Sequence, residues 1–124
     1  MSLKFWMGLK AIIVVIFGIG FTVVPVWLAS IYGMSLDKTG TLMAQLFGTA
    51  FIFEALLLWL AKNFPWPEAQ KVVIAVVISN VIGFIVCLIA TLNKVWNALG
   101  WLSVGLFLVF GLVFAYFLFI RKNT

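Results

Sequence analysis

VVIAVVISNVIGFIVCLIAT, residues 72–91, contains no charged side chain, and its strongest polar groups are Ser79 and Asn80. A helix of about 20 apolar residues, rising ~1.5 Å each, crosses a hydrocarbon layer ~30 Å thick. The stretch is several times longer than a buried strand of a soluble protein. It reads as a membrane-spanning helix. Three more apolar runs, 11–30, 42–61 and 98–120, reach similar lengths. The whole chain of 124 residues is 66% hydrophobic and 9% charged. A water-soluble surface ordinarily draws on about 25% charged residues, so lipid must be the solvent for most of this protein.

Within lipid each backbone amide needs a partner inside its own segment, and none of the four runs shows the alternation of a barrel strand. The expectation is therefore all-α: a four-transmembrane-helix antiparallel bundle, joined by short connections, forming one integral membrane domain over residues 1–124. Lys4 and Lys10 precede the first run as in a secretion signal. Its apolar part is longer than a signal core, however, and no clean small-x-small cleavage site follows, so it reads as a retained helix.

An even number of spans places both termini on one side. That side collects Lys4, Lys10, Lys62, Lys71, Arg121 and Lys122, against Lys38 and Lys94 on the other. The excess predicts cytoplasmic N and C termini in a plasma (inner) membrane. Trp6, Trp59, Trp66 and Tyr116 fall near the inner boundary, and Trp27, Tyr32, Trp96 and Trp101 near the outer, where amphipathic rings settle. The net charge of +5 then reflects topology and contact with anionic headgroups, and calls for no nucleic acid.

The connecting segments read as structural. In FPWPEAQK (64–71), Pro65 stops the second helix, Pro67 suits a first helical turn and Glu68 lies near the positive end of the third. In YGMSLDKTGT (32–41), Gly33 and Gly40 read as breakers and Thr41 as an N-cap. Pro25 should kink the outer end of the first helix, with Thr22 as a local partner.

Little chemistry is available. Histidine is absent and Cys87 is alone, which removes the usual metal, haem, disulfide and triad arrangements. No cofactor and no enzymatic activity are expected. Small residues recur where helices would pack: Ala75, Ser79, Gly83, Cys87 and Thr91 along the third, Gly48 on the second, Gly18 on the first and Gly111 on the fourth. The similar endings LWLAKN (58–63) and FLFIRKN (117–123), with Lys10 and Lys71 ahead of the first and third helices, suggest two like-oriented helical hairpins.

One residue stands apart. Glu54 lies in FGTAFIFEALLLWLAK (47–62), about 10 Å from the inner end of its helix. An acid there should face the bundle interior or take a partner. Asn80, at comparable depth on the third helix, is the candidate partner, with Ser79 beside it; Gln45 lies on the opposite side and nearer the outer surface. Glu54 is then either a proton or cation site with Asn80 as co-ligand, or one half of an interhelical hydrogen bond that sets register.

TLMAQLFGTAFIFEALLLWLAKN (41–63), Pro25-Val26-Trp27 and NALGW (97–101) together resemble the DoxX-like group of small four-helix integral membrane proteins. Gln45-Leu46-Phe47-Gly48-Thr49 stands where that group commonly opens its second helix on Arg-Leu-x-Gly-Ala, with Gln in place of Arg. The resemblance implies an accessory subunit or an association with quinone-linked oxidoreductase complexes. With the scarce chemistry and the packing signals, the expectation is a non-enzymatic accessory or assembly subunit, or a lipid- or quinone-contacting module, in a homo-oligomer or larger membrane complex. The alternative is a small proton-coupled transporter or channel that uses Glu54 as an oligomer. A lone membrane Glu also occurs in small multidrug resistance transporters, but there it lies in the first helix, and the run 11–30 has no charge.

Overall fold

The computed structural model describes residues 2–121; Lys122, counted above with the inner charges, lies outside the described residues. The chain forms five α-helices: α1 (Leu3–Val23), α2 (Pro25–Ile31), α3 (Lys38–Ala61), α4 (Trp66–Leu92) and α5 (Gly100–Tyr116). A π-helical turn, Phe117–Arg121, continues α5. Among the described residues there is no strand. Four helices are long and apolar enough to cross a membrane, the last counted through Ile120.

Three boundaries differ from expectation, each for a local reason. The first helix begins at Leu3 rather than near residue 11, because the Ser2 hydroxyl caps it by accepting from the Phe5 N–H at 3.2 Å. Lys10 consequently sits inside a helix. At the other end of that run the helix breaks at Val24 (φ −129, ψ 57), and Pro25 opens the short α2. Pro25 has no N–H to give back to the preceding turn, so a new helix start is the inexpensive place for it. The third departure is in the loop before α3. Asp37, not Thr41, is the N-cap, its Oδ1 accepting from the Gly40 N–H at 2.6 Å. Gly40 thus lies within the first turn instead of breaking the chain.

Helices α2 and α4 end alike. Gly33 (φ 77) and Lys94 (φ 59) adopt left-handed backbone, and the following N–H groups of Met34 and Val95 reach back to Ala29 and Ala90, both at 2.9 Å. These Schellman closures satisfy carbonyls that lipid could not.

Packing is uneven. Helix α1 lies along α3 and α4 along α5, while α1 meets α5, and α3 meets α4, at only a few points. The α1–α3 contact is set by glycine. A Cβ on Gly48 would stand 2.7 Å from the Gly18 carbonyl oxygen and 2.8 Å from the Thr22 nitrogen. On α4 a Cβ at Gly83 would run into the Phe107 ring of α5, and a Cβ on Gly111 would come 3.5 Å from that of Asn80. The small-residue row of α4 does not act as one face: Cys87 and Thr91 are buried, but Ala75 and Ser79 point outward. One buried cluster ties the pairs together, joining Leu3, Met7 and Ala11 of α1, Leu58 and Ala61 of α3, Val73 of α4 and Phe114 of α5.

Because backbone cannot retreat, Gly48→Ala should lower stability by about 1–3 kcal/mol. Gly105 has nothing within 4 Å of a built Cβ, so Gly105→Ala should be neutral or gain up to ~1 kcal/mol from helix propensity. Thermal unfolding in mild detergent separates the two; equal losses would show that close approach is not what Gly48 provides.

Candidate functional site

Above the buried cluster the four long helices part around a cavity of ≈ 110 Å³. Phe17 and Phe21 of α1, Phe47 and Phe51 of α3, and Phe107 and Phe110 of α5 line its wall. Tilted and edge-on ring pairs hold part of that wall in place, with Phe21–Phe47 centroids 5.4 Å apart and Phe47–Phe51 4.3 Å apart.

Its floor is polar. Lys10 lies on the same face of α1 as Leu3, Met7, Ala11 and Val14, and is 4% exposed. Its Nζ meets Glu54 Oε2 at 2.6 Å and stands 5.5 Å from the centroid of the Phe110 ring. A lysine without a partner would be expensive in this position; the carboxylate supplies the opposite charge and the ring face a further attraction. Glu54 keeps 27% of its side-chain surface open. Asn80 borders the same cavity but makes no hydrogen bond to Glu54: its Nδ2 donates to the Val76 carbonyl at 2.7 Å. The carboxylate's partner is therefore Lys10, on α1, where the sequence pointed to Asn80 on α4.

At the opposite end side chains from the loops meet α4 and α5. Tyr32 Oη and Ser103 Oγ share a hydrogen bond at 2.9 Å, and the Trp96 ring lies 5.1 Å from the Tyr32 ring. Trp96 Nε1 donates to Thr91 Oγ1 at 2.8 Å. Asn97 joins the two helix pairs, its N–H donating to the Tyr32 carbonyl at 2.8 Å and its Nδ2 to that of Ile31 at 2.9 Å. Neither Ser103 nor Tyr32 stood out in the sequence as a lining residue, since a hydroxyl near a helix end is common and its partner is 71 residues away.

The other singled-out residues fall outside this arrangement. Ser79 points outward and donates to its own helix, at the Val76 carbonyl, at 3.1 Å. Gln45 Nε2 donates to the Thr22 carbonyl at 3.3 Å, beside the break at Val24. It thereby serves a carbonyl at the end of α1, where helical partners run out. Thr22 Oγ1 donates to the Gly18 carbonyl at 2.8 Å, a back-bond that helps bend a helix.

Lys10 could have been found from the sequence. Counting from Ser2 as a cap, positions 3, 7, 10, 11, 14 and 18 share one helical face, and Lys10 is the charged member of it. Comparison with protein-family models, with curated proteins and with solved structures gives no match.

If the two charges sustain one another, Lys10→Met and Glu54→Gln should each cost about 1–3 kcal/mol, because each strands a partner. The double variant should then cost clearly less than their sum, leaving a coupling of at least ~0.5 kcal/mol. Denaturant titration of the four proteins in micelles measures this, and additive losses would show that the pair is uncoupled.

Proposed function

We propose that the protein is a non-enzymatic, multi-pass membrane module that holds a neutral, lipid-soluble molecule between two helical hairpins. On this reading the long helices form an antiparallel bundle in a plasma (inner) membrane, with both termini cytoplasmic. The order of contacts favours that arrangement: Gly8 lies by Trp59, Lys10 by Glu54, Gly18 by Gly48 and Thr22 by Gln45, so advancing along α1 retreats along α3. The excess of Lys and Arg at one end supports the orientation.

One observation carries the functional reading: the cavity is walled by aromatic rings, and its two charges already neutralise each other at 2.6 Å. Such a space offers a charged ligand no uncompensated partner, but gives a neutral apolar one area, shape and a few polar contacts. Membership of the DoxX-like group, and a role as an accessory subunit of a homo-oligomer or larger complex, belong to the same proposal. Gln45 bears on it, since the residue in the group's Arg position is taken up with the Thr22 carbonyl. The rival reading, proton-coupled transport, draws on the part of Glu54 that stays open, for a carboxylate released from Lys10 could take up a proton.

Mass spectrometry of protein purified in mild detergent should find about one neutral lipid-soluble molecule retained per chain. Leu106→Trp, which fills the cavity from α5, should lose it. In liposomes, proton flux should not exceed that of protein-free vesicles. Flux that Glu54→Gln abolishes in a folded protein would replace this reading with the transporter.

A further inference from the structure

The polar floor has one group that the ion pair leaves unsatisfied. Asn80 is 2% exposed and borders the cavity. The Val76 carbonyl can only accept, so the Asn80 atom 2.7 Å from it is the nitrogen, which fixes Oδ1 as the other end of the amide. That oxygen is buried and has no hydrogen-bond partner. Buried amide oxygens are rarely left so, because the lost hydration is not repaid until a donor arrives. Lys10 Nζ donates to Glu54 and makes no hydrogen bond to this oxygen, the Tyr32 hydroxyl and Trp96 Nε1 are bonded to Ser103 and Thr91, and the phenylalanine rings carry no donor. An N–H or O–H brought into the cavity would satisfy it.

Three features narrow what brings it. Opposite charges side by side favour a neutral visitor over an ion. Aromatic walls favour an apolar body with a ring or chain. The end away from the ion pair is spanned by the Tyr32–Ser103 hydrogen bond and the Trp96–Thr91 bond. The sparse meetings of α1 with α5 and of α3 with α4 leave lateral approaches between the helix pairs. Entry is thus from the bilayer, and suits a molecule already dissolved there.

We propose that the cavity takes a neutral, lipid-soluble alcohol or phenol whose hydroxyl donates to Asn80 Oδ1. This deepens the reading given above and rests on it. The assignment is specific to a hydrogen-bond donor: a hydroxyl and its methyl ether have nearly the same shape, but only the hydroxyl can satisfy the amide oxygen.

The test compares nonylphenol with its methyl ether, titrated into the full-length protein in nanodiscs and followed by tryptophan fluorescence. Wild type should bind the phenol about tenfold more tightly, and in Asn80→Leu the ratio should fall to about one. Equal binding of both probes by wild type overturns the hydroxyl assignment while leaving the cavity reading intact. If neither probe binds, both fail. A preference that survives in folded Asn80→Leu overturns Asn80 as the acceptor. Asn80→Met, unbranched and apolar, makes the same comparison if the leucine variant does not fold, and the wild-type pair of titrations decides on its own.

Discussion

Lys10 and Glu54 meet at 2.6 Å between two largely apolar helices, and much of the architecture follows from the need to keep them together. A single charged side chain in a membrane helix costs up to roughly 2.5–3.5 kcal/mol on insertion scales, the full figure applying at the centre and less toward the ends. Two such residues on neighbouring helices relieve that cost only face to face, and this fixes both the rotation and the register of α1 against α3. The Gly18–Gly48 approach further along the same pair supplies a second fixed point, of a different kind: it permits contact but does not compel it. Burying leucine gains little against lipid. The ion pair therefore sets the register, and glycine lets the helices close on it.

The two ends of the molecule solve different problems. Where the first turn of α1 meets the last turns of α3, large and small side chains interlock in a buried cluster around Met7, Leu58, Val73 and Phe114. At the far end hydrogen bonds from Tyr32, Trp96 and Asn97 hold the loops together. Between them the pairs are joined to each other at few points, and the space is bounded by rings. A cavity persists there because rings are stiff and meet edge to face, and because its floor is polar and its far end is already bonded. The same geometry leaves Asn80 turned back on its own helix, with one end of its amide idle.

Much of this was legible in the sequence. Four charge-poor runs of helical length, with proline and glycine between them, gave the spans, and Gly48, Gly83 and Gly111 all proved to lie at helix contacts. What could not be read came from two sources. Helix α1 begins eight residues before its apolar run because a serine hydroxyl caps it, and capping is a weaker signal than hydropathy. That shift carried Lys10 from an apparent flanking charge to the interior, and so changed the partner of Glu54. The contact at the other end was hidden for a different reason: Tyr32 and Ser103 are far apart in sequence, and Tyr32 read only as a ring at the outer boundary. Ala75 and Ser79 show the converse. Their spacing of four suggested one packed stripe, but the contact face of α4 runs through Val73, Val76, Asn80 and Cys87 instead.

The central claim is that the Lys10 and Glu54 side chains pair with each other between α1 and α3. Solid-state NMR tests it most directly, through the dipolar coupling between ¹⁵N at the lysine Nζ and ¹³C at the glutamate carboxyl in lipid bilayers. An Nζ–Oε2 distance of 2.6 Å predicts strong dephasing that disappears in Glu54→Gln. Absence of that coupling in folded wild-type protein, or its survival in the variant, would contradict the claim.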